Sequence, residues 1–268
     1  MMQRLWRTVL FMMLSACLCV VAGVCSAPSA KGEVEGTAGA ELKPREIGPN
    51  RYQLGSTVID TDRRTVSCPG TVNIRQGGPI ELLACTQAGK VHESILVLEC
   101  RPIEVQLALL LLGVEPGRNP AVDYANGPGW DQLPTATLLG ITVQWEEPAT
   151  DEKPARLVSC PAEELLYNVK TGGVQGAARW AFTGSRWVEG RFGAEVTGSI
   201  IVTYHDPLGV IELAEEEVND DTYFNANEEL LPEVGATVTV VIQVPADAES
   251  DAGEQGEDGS GPQEDTKG

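Results

Sequence analysis

Through the middle of the chain, apolar and polar positions alternate over short β-branched runs that Gly, Pro and Asp interrupt, the pattern of a protein built mainly from strands. Strands are predicted near 56–61, 64–74, 80–85, 91–99, 137–146, 155–160, 178–183, 186–193, 195–204 and 236–244. One stretch departs from this pattern. In PIEVQLALLLLG, Pro102 suits a first helical turn and Gly113 a C-cap, while only Glu104 and Gln106 interrupt the apolar surface. A helix apolar nearly all round is expected to be buried, here against a sheet over about 102–112. At roughly 16 Å it is too short to cross a bilayer. A second short helix is predicted at about 161–168, in PAEELLYN. The expected fold class is α+β, mainly β, with antiparallel sheets forming a sandwich or an open-barrel-like body.

The ends read differently. Residues 1–27 carry Arg4 and Arg7, then an apolar run from Val9 to Val24, then Cys25-Ser26-Ala27, the order of a secretory signal peptide cut near Ser26 or Ala27. The stretch LSAC, ending at Cys17, resembles a bacterial lipobox, which leaves lipid anchoring at Cys17 as the alternative and the one expected route to a membrane. Residues 28–50 lack an apolar period and read as a flexible linker. From Ala246 to Gly268 there are eight acids, one Lys and no aromatic residue, which reads as a disordered acidic tail. Residues 51–245 remain as a single globular domain.

Loss of the signal leaves 17 basic against 39 acidic residues, a net charge of −22. Nucleic acid and anionic lipid both call for a positive surface, so neither is an expected partner. Four of the seven cysteines lie outside the signal, at Cys68, Cys85, Cys100 and Cys160, and in an oxidising compartment they allow two disulfides with three pairings. No CxxC is present, so no zinc or iron–sulfur site is expected, and no cofactor is implied. RTVSCP at 64–69 and RLVSCP at 156–161 share a pattern that would place Cys68 near Cys160.

The densest candidate chemistry is GKVHES, residues 89–94. The turn TQAGK is expected to join IELLAC to VHESILVLE as a hairpin. On such a strand Lys90, His92 and Ser94 share one face and Glu93 the other. A Ser94–His92 nucleophile pair is conceivable there, but no G-x-S-x-G turn supports it, and Glu93 is expected to point away from the imidazole. The second histidine, His205, sits with Tyr204 and Asp206 in TYHDP, another strand end. A metal site would need both histidines with Glu93 or Asp206. Two long connections remain: 114–136, which contains Trp130, and the acidic 212–235, where Glu217, Asp220 and Asp221 suggest calcium without the spacing of an EF-hand.

GGPIELLACTQAGKVHESILVLECRP, LALLLLGVEPG, WAFTGSRW, TGSIIVTYHDP and DDTYFNAN, in that order over about 51–244, resemble a YdjY-type domain of bacterial envelope proteins. The resemblance implies an exported domain whose recurring features match Lys90, His92, Glu93 and Ser94, and Trp180 to Ser185. The ferredoxin-like role described for some relatives is not carried over, because this chain has no close run of cysteines. The functional expectation is an exported, non-enzymatic binding or interaction domain of the cell envelope, recognising an envelope ligand or protein. Its candidate cluster is Lys90, His92, Glu93, Ser94, Trp180, Ser185, Tyr204, His205 and Asp206, with Trp145 and Trp187 as further aromatic anchors. The alternative is a hydrolytic or metal-assisted enzyme using His92 with Ser94, Glu93 or His205. A structural protein of the envelope is a third reading.

Overall fold

The computed structural model describes residues 42–120, 132–151 and 153–246. The predicted signal with Cys17, most of the spacer, Trp130 and the acidic tail lie outside the described residues. The described chain runs through β1 (Arg45–Gly48), β2 (Arg51–Leu54), β3 (Thr57–Asp60), β4 (Thr65–Val72), β5 (Leu82–Thr86), β6 (Ser94–Leu98) and the helix α1 (Pro102–Leu111). After α1 come β7 (Leu138–Glu147), β8 (Arg156–Pro161), β9 (Leu166–Asn168), β10 (Gly173–Val174), β11 (Trp180–Ala181), β12 (Trp187–Val188) and β13 (Arg191–Phe192). The short helix α2 (Gly193–Thr197), β14 (Ser199–Val202), β15 (Ile211–Leu213), β16 (Phe224–Ala226) and β17 (Thr237–Gln243) complete it.

The fold is mainly β, and its main sheet closes into an eight-strand barrel in the order β4, β17, β7, β11, β15, β14, β5, β6 and back to β4. Two long strands make closure compatible with the flanking pieces. Along one edge of β4, the first half pairs with β3 and the second half with β6. Along one edge of β7, Leu138 and Leu139 pair with β11 while 142–147 pair with β8. The last described strand, β17, fits between β4 and β7, antiparallel to both. The alternating burial of β4 turns Val66, Cys68, Gly70 and Val72 inward, and β17 does the same with Val238, Val240 and Ile242.

Several sequence expectations need correction. The IELLAC and VHESILVLE runs do not form a hairpin: β5 and β6 run parallel, joined by only 87–93, and β14 and β15 are likewise parallel across 203–210. The sheets are therefore not purely antiparallel. Residues 91–93 form a 3-10 turn instead of strand, and β6 begins at Ser94. The predicted strand 195–204 is split between α2 and β14. The predicted helix at 161–168 is a 3-10 turn over Ala162–Leu165 followed directly by β9. In the acidic connection lie β15, a 3-10 turn over Glu216–Asn219 and β16. β1 occupies the C-terminal end of the stretch read as a spacer.

Helix α1 occupies its predicted place, but it is buried on one side only, with Val105, Ala108 and Leu109 in the core and Leu110 and Leu111 exposed. Its one acid explains how the N-terminus is fixed. Glu104 Oε2 accepts from the backbone N–H of Arg101 at 3.3 Å and of Ser56 at 3.2 Å, so the carboxylate ties the β2–β3 turn to the first helical turn. Gly55, at φ +58°, makes room for it: a Cβ there would lie 2.0 Å from Glu104 Oε1. Burial raises the Glu104 carboxyl above its ordinary value despite these hydrogen bonds. A raised folded pKa contributes stability that is full below the unfolded value of about 4.3 and is lost as pH rises through the folded value. The stability difference between wild type and Glu104→Gln, measured by urea unfolding, is thus expected to move in favour of wild type from pH 7 to pH 4. A pH-independent difference would contradict this reading.

Candidate functional site

Both parallel crossovers carry the polar blocks singled out in the sequence, and the barrel brings them together. The meeting point is Glu81, just ahead of β5. Its N–H donates to the Glu93 carbonyl at 3.1 Å, and its own carbonyl accepts from Thr203 N–H at 2.8 Å and Tyr204 N–H at 3.2 Å. Behind this junction two glycines touch: a Cβ on Gly198, at φ +73°, would lie 2.5 Å from Gly89 Cα. The turn at 91–93 is gripped from β4's far end by Asn73, whose amide donates to the carbonyls of Val91 at 2.5 Å and Ser94 at 2.9 Å.

On the surface of this junction Lys90 faces carboxylates. Its Nζ lies 2.5 Å from Glu81 Oε2 and 3.5 Å from Glu93 Oε2. Burial alone would lower the Lys90 ammonium, but the hydrogen bond and charge of Glu81, helped by Glu93 and Asp206, raise it above its ordinary value. Glu93 turns toward its neighbour, with Oε1 3.4 Å from His92 Nε2, which corrects the expectation that strand alternation separates them. The His92 side chain is 73% exposed, on the outside of the turn. Ser94 goes the other way: it is buried, and its hydroxyl donates to the Leu96 carbonyl at 2.9 Å. The Ser94–His92 nucleophile pair is therefore not assembled.

His205 lies beneath the rim. Its Nδ1 makes a very short contact with Glu212 Oε1, its Nε2 lies 2.8 Å from Asn219 Oδ1, and the His205 and Glu212 side chains are both 0% exposed. With Nε2–H donating to Asn219, the other ring nitrogen faces the Glu212 carboxyl. Burial pushes the Glu212 carboxyl up, and the hydrogen bond from His205 opposes that rise. Asp206 is used locally: its Oδ1 accepts from Leu208 N–H at 2.8 Å and its carbonyl from the Asn119 amide at 3.0 Å. The arrangement can hold a buried proton and a neutralised rim. Among the described residues no group of three His, Cys, Asp or Glu side chains is placed to hold a metal ion. Two of the three acids of the proposed calcium loop have other occupations: Asp220 pairs with Lys170 and accepts from Thr222, and Glu217 accepts from the Asn168 amide.

Both ends of the Trp180–Ser185 block are bonded into the fold. Trp180 is 1% exposed and its indole N–H donates to Glu163 Oε2 at 3.3 Å. The Ser185 hydroxyl accepts from Ala194 N–H at 2.9 Å at the start of α2, and its own N–H donates to Gln106 Oε1 at 2.7 Å on α1. Trp145 is also buried, while Trp187 is exposed and packs edge-on to Phe192 across the β12–β13 pair. Of the residues proposed for one cluster, the junction thus gathers Lys90, Glu93, Tyr204, His205 and Asp206, while Trp180 bonds to Glu163 and Ser185 to Ala194 and Gln106.

Glu81, Glu212 and Asn219 were not among the sequence candidates. Glu212 had a visible signal, a lone acid in the apolar run VIEL, whereas Asn219 had none. A groove of about 600 Å³ lies apart from both histidines, lined among others by Gln76, Gly77, Tyr167, Val174, Asn225 and Asn227. Its floor uses the end of the DDTYFNAN block, where Ala226 bridges to Gly77.

No match to the chain was found among curated proteins or among solved structures. The YdjY domain model matches residues 57–243, from β3 to the end of β17 and including both parallel crossovers. The strands that close the barrel and the junction at Glu81 all fall within that match, and the chain belongs to the YdjY domain family.

Proposed function

We propose that this chain is an exported, non-enzymatic binding or interaction domain of the bacterial cell envelope, and that it recognises its partner in the groove beside Tyr167. The observation that carries the reading is the composition of that groove. Tyr167 and Val174 are exposed there at 36% and 49%, beside the amides of Gln76 and Asn225 and the carboxylates of Glu228 and Glu229, an apolar anchor with hydrogen-bonding groups around it. Neither histidine lines it. The enzymatic alternative draws less support: the His205–Glu212 pair is closed to solvent, and Ser94 spends its hydroxyl in the core.

The test is a thermal-shift panel of envelope glycans and peptides against the purified full chain, followed by the same panel on Tyr167→Ala. A ligand that raises the melting temperature of wild type is expected to lose its effect on the variant, whose unliganded melting temperature stays close to wild type because Tyr167 is partly exposed. If no ligand shifts wild type, or if the shift survives in the variant, the groove is not the recognition site.

A further inference from the structure

The four cysteines outside the predicted signal are free, buried thiols in this structure, and they are not equivalent. β4 and β6 pair antiparallel with Gly70 opposite Leu98, Thr71 opposite Val97 and Val72 opposite Leu96. The pairing continues past the strand end, since Glu99 N–H donates to the Pro69 carbonyl at 2.9 Å. Carried one step further, past the end of β6, this register sets Cys68 opposite Cys100. Both side chains are buried, at 0% and 1% exposure. Hydrogen-bonded and non-hydrogen-bonded pairs alternate along an antiparallel ladder. With the Glu99–Pro69 and Asn73–Ile95 pairs bonded, the Cys68–Cys100 pair falls at a non-hydrogen-bonded position, where facing Cα atoms come to about 4.5 Å, within the range a disulfide spans.

Two of the other pairings, followed along the ladders, are too far apart. Cys68 is opposite Val240, Val240 opposite Val143, and Val143 opposite Cys160, so Cys68 and Cys160 are three strand spacings apart, roughly 14 Å. The expected closeness of Cys68 and Cys160 is thereby overturned. Cys85 is opposite Val97, three residues short of Cys100, which leaves about 11 Å between their Cα atoms.

We propose that Cys68 and Cys100 are a cross-strand disulfide site. The oxidant is a disulfide, either that of a thiol–disulfide oxidoreductase or oxidised glutathione. One cysteine, as its thiolate, attacks the oxidant and expels one of its sulfurs as a thiol. The second cysteine then attacks the mixed disulfide at the protein sulfur and expels the other. Two protons and two electrons leave the pair, and the oxidant departs as two thiols. Cys100 is pushed well above the ordinary thiol range, first by its contact with Cys68 and then by burial, so the finished barrel protects the reduced pair. Oxidation belongs to folding, before Thr57 on β3 and the start of α1 cover the site.

The full chain, unfolded and refolded in oxidised and reduced glutathione, then alkylated and digested, reports the pairing by mass spectrometry of unreduced peptides. A peptide pair joined through Cys68 and Cys100 is expected, two hydrogens lighter than the separate peptides, with Cys85 and Cys160 alkylated. The bond closes a loop of 33 residues, Cys68 through Cys100. Its reduction is expected to lower the melting temperature by about 7–15 °C, and the Cys85→Ser, Cys160→Ser double variant is expected to keep that difference. Alkylation of both Cys68 and Cys100, or a link between any other described pair, overturns the proposal. Because the oxidant is supplied in the tube, a negative result counts against the pair and leaves the export reading untouched.

Discussion

Glu212→Ala is expected to destabilise the protein by about 3–5 kcal/mol, the cost of leaving one member of a buried pair without the other. His205 would keep its contact to Asn219 but lose the carboxyl facing Nδ1 in a site with no access to water. For a domain of this size the loss corresponds to a fall in melting temperature of about 6–20 °C. Glu212→Gln preserves shape and one hydrogen bond, so its loss should be the smaller. The pH dependence separates charge from packing. Burial holds the Glu212 carboxyl above its ordinary value, so its contribution is full below about pH 4.3 and declines as pH rises through the folded pKa. The advantage of wild type over Glu212→Gln should therefore grow on acidification. Equal urea midpoints for wild type and Glu212→Ala would show that the pair carries no stability.

Trp180→Ala should cost a similar amount, about 3–5 kcal/mol, through loss of buried area and the cavity left behind. Trp180 stands on β11 between Leu139 of β7 and Leu213 of β15, so its ring fills the barrel at a strand only two residues long. Trp180→Phe keeps most of the volume and gives up the indole hydrogen bond to Glu163, for a loss of about 1–2 kcal/mol. Trp187→Ala, at a residue 65% exposed, serves as the contrast and should stay within about 1 kcal/mol of wild type. Chemical denaturation of the three variants decides whether the WAFTGSRW block is core at one end and surface at the other. If Trp180→Ala unfolds at the wild-type midpoint, the block has some other purpose.

What the sequence made legible follows the range of the forces involved. Helix α1 and the central strands were readable because Pro102, Gly113 and the alternation along β4, β7 and β17 are local signals. The turn at 91–93 was not, because it is gripped by Asn73, 18 and 21 residues away. The hairpin between β5 and β6 was the natural reading of two runs with a short gap. It failed because β14 pairs antiparallel with β5, while β6 pairs with the free half-edge of β4. α2 depends on a hydroxyl from Ser185, nine residues earlier, that caps Ala194. The shared R-x-V-S-C-P motif did mark a geometric relation, since Cys68 and Cys160 lie in one row across the sheet, but it said nothing of the two strands between them. Of the candidate site, the two polar blocks were visible and their junction was not, because it is made by the backbone of Glu81.

The place of β17 bears on the order of events when the chain is made. The last strand of the barrel to be synthesised lies between β4 and β7, so until residues 237–243 arrive these two strands each lack a neighbour. The partners of this ladder are about 170 residues apart on the β4 side, a separation that delays pairing. A chain still being synthesised thus cannot close its barrel until β17 is free to pair.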